Sequence, residues 1–315
     1  MEVSQIRVQL NALGFNTSVL DNYEHPHRAY HNLEHLQEVL AYMYAHGPVS
    51  DLQFLAAVYH DAIYWPRLKN NEQASADLFK RHAGNKLSEK AIAEVEGMIL
   101  DTIEHKPTTP ASELLQQADL AILNQPLHRL IAYEKGIYKE YQFVPYAAYK
   151  EARIRVLENL NTDGRLDALL DYVNTREPLT GVFCGSFNPF HKGHYNVLQK
   201  AERIFDKVII AFGKNPDKQA RSWPVPALIS NRQIEEYHGL LTDFISTLQQ
   251  DVVVVRGLRN STDFQYEQNQ YRYIQELMPE IKIVNIFCDK EFEHISSSGI
   301  RTLEKYDRHH SYLLD

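Results

Sequence analysis

Three groups of residues in this chain have the types and spacing to do chemistry. In Tyr30-His31-Asn32-Leu33-Glu34-His35, two imidazoles stand at i and i+4, on one face of a predicted helix. Tyr59-His60-Asp61 falls late in another predicted helix, where adjacent side chains point about 100° apart yet both reach an ion off the helix side. Asp119 sits among apolar residues in Gln117-Ala118-Asp119-Leu120, where an unpaired charge is costly. A lone His-Asp pair is equally what an ordinary hydrogen bond between side chains would leave in a sequence. A His, a His-Asp pair and a distant Asp together form a mixed nitrogen and oxygen ligand set, suited to Mn, Fe, Ni, Zn or Mg.

The second group is Gly181-Val182-Phe183-Cys184-Gly185-Ser186-Phe187-Asn188-Pro189, which continues as Phe190-His191-Lys192-Gly193-His194. A strand, a small-residue turn and a helix start bring backbone N–H groups and the helix dipole to one spot, which favours an anion. The spacing is neither the Walker pattern nor GxGxxG, which weighs against a kinase-like loop and a dinucleotide-binding dehydrogenase. His191 and His194 are close enough to face one phosphate group. The third group is Ile295-Ser296-Ser297-Ser298-Gly299-Ile300-Arg301, three hydroxyls at a predicted helix start. One serine there is a common N-cap. Three in a row with an arginine one turn later better suit a phosphate cradle.

The elements that must hold these groups change character near Pro178. Before it the pattern is helical: Leu33, Leu36, Leu40 and Met43 share one face, as do Leu52, Leu55, Ala56, Tyr59 and Ile63. Ile92, Val95, Ile99 and Ile103 form another such face, and so do Tyr133, Ile137, Tyr138 and Tyr141 before Pro145. The last is Leu166, Leu169, Leu170 and Val173. After Pro178, short aliphatic runs at 179–184, 207–212, 252–256 and 281–287 alternate with helix-length amphipathic stretches. That alternation predicts βαβ units and a parallel sheet covered on both faces. The expectation is an all-α domain over 1–175 followed by a Rossmann-like α/β domain over 179–315.

Composition narrows the function classes. The chain has 315 residues, 44% hydrophobic and 23% charged, enough to bury real cores and unlike a disordered or disulfide-stapled protein. A net charge of −8 argues against a broad nucleic-acid surface. The longest aliphatic run is four valines at 252–255, too short for a membrane span. The opening MEVSQIRVQL shows no cleavable apolar stretch, and Cys184 and Cys288 read as reduced thiols, so a cytoplasmic location is expected. The tail Asp307-Arg308-His309-His310-Ser311 is expected to be a frayed end.

HRAYHNLEHLQEVL (27–40), AVYHDAIYWPRLKNNEQASA (57–76), LLQQADLAIL (114–123) and the stretch 133–160 resemble the HD-domain metal-dependent phosphohydrolases. The resemblance implies an HD-type helical fold in which His35, His60, Asp61 and Asp119 hold a divalent metal. It places His31 and His105 beside that metal or its substrate. Arg67 and Lys69 would bind phosphate, and Glu72 in the same loop would orient a water. A scaffold that keeps an inert metal site is the other reading of this half.

HxGH followed about 100 residues later by ISSSxxR resembles the nucleotidyltransferase superfamily. GSFNPFHKGH (185–194), FDKVIIAFGKNPDK (205–218), GLLTDF (239–244), VVVRGLRNSTDFQYE (253–267) and HISSS (294–298) resemble the phosphopantetheine adenylyltransferases in particular. That resemblance implies that Ser186, Lys218, Leu241 and Arg256 contact the acceptor. ATP with its Mg²⁺ would be held by Ser186, Phe187, His191, His194, Gly257, Leu258, Arg259, Glu267, Phe292, Glu293, His294, Ile295, Ser296, Ser297, Ser298 and Arg301. His194, Lys218 and Arg259 would be catalytic, and the chain would assemble into homo-oligomers. The family usually carries Thr and Asp in place of Ser186 and Asn188, a bulky aromatic in place of His294, and Lys in place of Arg301. Asn188 and Gly299-Ile300-Arg301 look more like the nicotinamide mononucleotide adenylyltransferases. The acceptor is therefore phosphopantetheine or another phosphorylated molecule such as nicotinamide mononucleotide. A module that senses ATP without turnover would not need His194, Lys218 and Arg259 together.

Overall fold

The structure is a computed structural model that describes residues 1–214 and 223–314. The chain divides into two compact units, 1–140 with 152–174, and 141–151 with 175–315.

The first unit is helical. Its helices are α1 (Val3–Ala12), α2 (Leu33–His46), α3 (Asp51–Tyr59), α4 (Asn71–Ala83), α5 (Glu89–Leu100), α6 (Pro110–Asp119), α7 (Leu127–Glu140), α8 (Tyr146–Leu160) and α9 (Asp167–Thr175), with α8 and α9 each passing out of the unit at one end. Local capping sets the boundaries near the site. The Asn32 side chain accepts from the N–H groups of Glu34 and His35 and starts α2. His31 therefore precedes the helix, and the expected helical pairing of His31 with His35 gives way to a turn residue beside a helical one. Ser50 and Gln53 form a capping box at the head of α3. α3 ends at Tyr59, so His60 and Asp61 stand just past its last turn and Ile63 lies beyond it. Likewise Ile103 lies past α5 and is exposed. Every residue from Phe54 to Tyr59 is buried, and this central helix packs with Leu36, Leu40, Met43, Phe79 and Ile99 in one core. Burying each such side chain stabilises the unit by roughly 1.5–3 kcal/mol before chain entropy is counted.

The second unit is built on a parallel sheet of order β3-β2-β1-β4-β5. Its elements are β1 (Thr180–Gly185), α10 (Lys192–Ala201), β2 (Lys207–Lys214), β3 (Ile234–His238), α11 (Leu241–Thr247), β4 (Val252–Leu258), α12 (Ser261–Leu277), β5 (Lys282–Phe287) and α13 (Ser297–Glu304). Four of these strands coincide with the aliphatic runs. β3, Ile-Glu-Glu-Tyr-His, is an edge strand with no such run. Alternation along β1 sends Phe183 into one core with Val255 and Ile210, and Val182 and Cys184 into the opposite core with Val254 and Ile209. Gly181 makes room for a neighbour: a Cβ there would lie 2.8 Å from the Phe205 ring. Residues 141–151 join this unit because Lys207 Nζ donates to Gln142 O at 3.0 Å and to Val144 O. Burial lowers that ammonium to about 8. The strand order reverses between β1 and β4, and the crevice beyond their carboxyl ends is where open parallel sheets bind ligands.

Candidate functional site

In the helical unit, α2 carries His35, the end of α3 presents His60 and Asp61, and the last residue of α6 is Asp119. The structure brings these four together. His35 Nε2 lies 3.1 Å from Asp119 Oδ1 and 3.7 Å from Asp61 Oδ2. His60 Nε2 lies 3.3 Å from Asp61 Oδ2 and 3.7 Å from Asp119 Oδ1. His60 Nδ1–H donates to Ala57 O at 2.7 Å, which fixes the ring and turns Nε2 toward the carboxylates. Both buried Nε2 atoms lack a hydrogen-bond partner among the described residues. Two orphaned imidazole nitrogens converging with two carboxylate oxygens fit a divalent cation. Burial opposes a charge on His60, yet Asp61 and then Asp119 raise it well above the ordinary imidazole range. Burial equally opposes a charge on Asp119, which His35 and His60 nonetheless hold well below the usual carboxylate range.

The surroundings include residues that the sequence did not single out. Glu140, at the end of α7, is completely buried and accepts from Tyr30 N (2.7 Å), His31 N (2.9 Å) and Tyr64 Oη (3.0 Å). His31 Nδ1 donates to Glu140 Oε2 at 2.7 Å; burial disfavours the imidazolium, but Glu140 outweighs it and raises the His31 pKa. Arg28, also buried, donates to His31 O (2.9 Å), Asp61 O (2.8 Å) and Ala62 O (3.1 Å), tying the His31 turn to the chain after α3. His105 Nδ1 stands 4.0 Å from Asp119 Oδ2. Arg67 and Lys69 are exposed in the following loop, whereas Glu72, expected in that loop, lies in the first turn of α4. A cleft of about 180 Å³ opens beside His35 and is lined also by Tyr30, Asn32, Arg129 and Tyr133.

In the α/β unit, β1 ends at Gly185 and the loop Ser186–Phe190 leads to α10. Ser186 is exposed; Phe187 adopts a φ of 39° and packs on Phe183, Phe190 and His194. A Cβ on Gly185 would lie 2.8 Å from the Phe187 ring, so glycine is required for that packing. His191 and His194 cap each other: His191 Nδ1 accepts from His194 N at 3.4 Å, and His194 Nδ1 accepts from His191 N at 3.3 Å. Each ring is thus fixed with its proton on Nε2, and the two stack at 3.6 Å. Burial and then Arg259 lower His191 to about 4. Burial, His191 and Arg259 lower His194 well below its ordinary value.

The hydroxyl-rich segment meets this loop. Ser296 is the N-cap of α13, accepting from Gly299 N at 3.0 Å, and its Oγ lies 3.2 Å from that of Ser298. Ser297 Oγ donates to Pro189 O at 3.0 Å, and Arg301 donates to Asn188 O. Phe292, after a short turn, packs on the β1 core; Glu293 and His294 are exposed and Ile295 is buried. At the end of β4, Gly257 is exposed and Leu258 is buried. Arg259 pairs with Asp263 at 2.8 Å, while Arg256 makes two 2.6 Å bonds to Glu267 and one of 3.2 Å to Cys184 Sγ. That leaves N–H groups of the Arg256 guanidinium for other partners. Arg256 and Glu267 border a cavity of about 260 Å³, shared with Phe264, Tyr271 and Asn285, which sequence reasoning missed. Leu241 opens α11 and packs on the β1–β2 face. Lys218 lies outside the described residues.

Two outcomes follow. Glu140→Gln should destabilise the helical unit by about 2 kcal/mol, because a carboxamide cannot serve the same set of donors. NMR titration should show the His31 pKa falling once burial acts without the anion. Second, unfolded histidine titrates near 6.5 and folded His191 at about 4, so the unfolded chain binds more protons between those values. Stability should therefore fall as pH drops from about 6.5 toward 4. A urea midpoint that steepens rather than flattens with pH in His191→Asn would contradict the assignment.

A family model described as cytidylyltransferase-like matches residues 182–303, inside the α/β unit. The phosphopantetheine adenylyltransferase of Mycoplasma mycoides is 36% identical over 138 residues, which is 41% of this chain and 99% of that protein. Its counterpart in Mycoplasma capricolum is 38% identical over 136 residues, 40% of this chain and 97% of that one. Among solved structures, a bifunctional NMN adenylyltransferase/ADP ribose pyrophosphatase from Francisella tularensis aligns over 42% of each chain. Its identity is 18% and its TM-score 0.28, too distant a likeness to bear on fold or acceptor. With almost the full length of such relatives covered at this identity, the chain belongs, through its α/β unit, to the phosphopantetheine adenylyltransferase family.

Proposed function

We propose that the α/β unit transfers AMP from ATP to 4′-phosphopantetheine, giving dephospho-CoA and pyrophosphate. One observation carries this reading: the hydroxyl-rich start of α13 is bonded, through Ser297 and Arg301, to the loop that leads into His191 and His194. Two motifs a hundred residues apart are thereby joined next to the end of β1. A phosphate oxygen of the acceptor attacks the α-phosphorus of ATP, and the bond from that phosphorus to the β-bridging oxygen breaks. Pyrophosphate leaves with the electron pair. The nucleophile is already ionised, so no strong general base is needed and the protein works by positioning and charge neutralisation. His194, neutral and protonated at Nε2, donates to the phosphoryl oxygens as charge shifts toward the leaving group. Arg259 and the Mg²⁺ that enters with ATP offset the triphosphate, and Lys218 and Arg256 take the acceptor phosphate. Asn188 and Arg301 keep nicotinamide mononucleotide as the second acceptor to try.

For the helical unit we propose an HD-type phosphohydrolase in which His35, His60, Asp61 and Asp119 hold a Mn, Fe, Ni, Zn or Mg ion. Such an ion supplies Lewis-acid activation of water and of a phosphoryl oxygen near neutral pH. The residues around it do the positioning: Glu140 orients His31, and Arg28 fixes the backbone that carries Asp61.

Pyrophosphate release from MgATP should require phosphopantetheine, and His194→Ala should lower kcat by about 10²–10³-fold with little change in the KM for ATP. Release with nicotinamide mononucleotide alone would reassign the acceptor. Hydrolysis of nucleotides and pyrophosphate with Mn²⁺ should be lost in His60→Ala and in Asp61→Ala. Inactivity of the unaltered chain across that panel would favour a scaffold.

A further inference from the structure

The tail after α13 is an ordered turn rather than the frayed end its composition leads one to expect. Asp307 N donates to Glu304 O at 3.0 Å and Arg308 N to Leu303 O at 3.1 Å, ending the helix, while Asp307 adopts a φ of 54°. Aspartate enters that left-handed region more readily than most residues. The chain then turns back into a short 3₁₀ segment, His310–Tyr312. Lys192 Nζ holds it by donating to Ser311 O at 2.7 Å, and the Tyr312 ring meets His294 at 5.9 Å.

This turn gathers Asp307, His309 and His310, with one ligand atom from each lying within 4.8 Å of the others. His310 Nε2 is 2.9 Å from Asp307 Oδ1. His309 is the informative member. It is only 9% exposed, wedged between the rings of Trp223 (5.7 Å) and His310 (4.0 Å). Its Nδ1 has no hydrogen-bond partner among the described residues. A buried imidazole nitrogen without a partner loses its hydration and gains nothing in exchange. An ion shared with a neighbouring imidazole and a carboxylate removes that cost.

We propose that Asp307, His309 and His310 bind a divalent ion of borderline softness, of the Zn²⁺ class. Two imidazoles and one carboxylate are the donors such ions take, and the exposed side of the turn leaves room for water to complete the shell. The ion would fasten the tail where Lys192, from the first phosphate motif, already reaches it.

The test uses the full chain, freed of metal by a chelator and carrying Trp65→Phe, so that of the two tryptophans only Trp223 remains. Zn²⁺ is the probe. Trp223 emission should change saturably, with apparent affinity weakened roughly tenfold or more in His309→Ala and in His310→Ala. It should be unchanged in His60→Ala. His310 and Asp307 are exposed, so His310→Ala and Asp307→Asn keep the fold while removing a ligand. Equilibrium dialysis should then show one Zn²⁺ fewer per chain in each. Identical titrations and stoichiometry with and without these tail substitutions would overturn the proposal. So would a response that vanishes in His60→Ala alone.

Discussion

A carboxylate that has lost all contact with water must find its donors in the protein, and Glu140 is such a group. Desolvating it costs several kcal/mol, recovered only if every oxygen lone pair that matters is met by a well-aligned donor. Two backbone N–H groups, a tyrosine hydroxyl and an imidazole converge on it, and three of those four come from Tyr30 and His31, more than a hundred residues earlier. The helical unit can hold α7 and the approach to α2 in register only if this set closes. Everything at the cluster inherits that register: the His31 ring, the Asn32 cap that begins α2, and one turn on, His35. Arg28 extends the same tie to the chain that carries Asp61.

The α/β unit meets the same requirement by different means. There the groups needing partners are the N–H donors at the head of α10. An aspartate cap would satisfy them, but it would add a negative charge there. His191 and His194 satisfy one another's backbone N–H with their Nδ1 atoms and leave Nε2–H outward. The cap is thus made without placing a negative charge at the helix start. Gly185 and the left-handed Phe187 let the loop turn tightly enough to bring this pair to the end of β1, beside the strand-order reversal.

Much of this was legible in the sequence, and the exceptions share a cause. Leucine spacing marked α2, and aliphatic runs marked β1, β2, β4 and β5, because burial on one or both faces writes itself into a local window. β3 escaped because this edge strand, with Glu235, Glu236 and His238 among its residues, offers only Ile234 to one core and Tyr237 to the other. His31 was placed on the helix because periodicity cannot see that Asn32, a residue later, is the cap. His35, His60, Asp61 and Asp119 could be named in advance from residue type and family resemblance together, and the fold brings the four side by side. Glu140 and Arg28 could not be so named: Tyr138-Lys139-Glu140-Tyr141 reads as a solvated helix end, and only tertiary burial turns its carboxylate into an organiser. His309 and His310 looked idle for the converse reason, since nothing in a terminal pentapeptide foretells that one ring will be buried against Trp223.

The histidines also show how one side chain is turned to opposite uses by its neighbours alone. His60 is buried and His194 half-buried, and loss of water by itself pushes both toward neutrality. Around His60 two carboxylates add negative potential, which outweighs burial and favours the protonated ring. Around His194 the neighbours are a second imidazole and the Arg259 guanidinium, so the potential is positive and the ring stays neutral. A neutral ring does not attract anions by its own charge, but it can donate a hydrogen bond without first losing a proton to solvent or to substrate. The first environment is anionic and the second cationic, though each is built around an imidazole. Exchanging the anionic and cationic neighbours would reverse the two shifts even with every histidine kept in place.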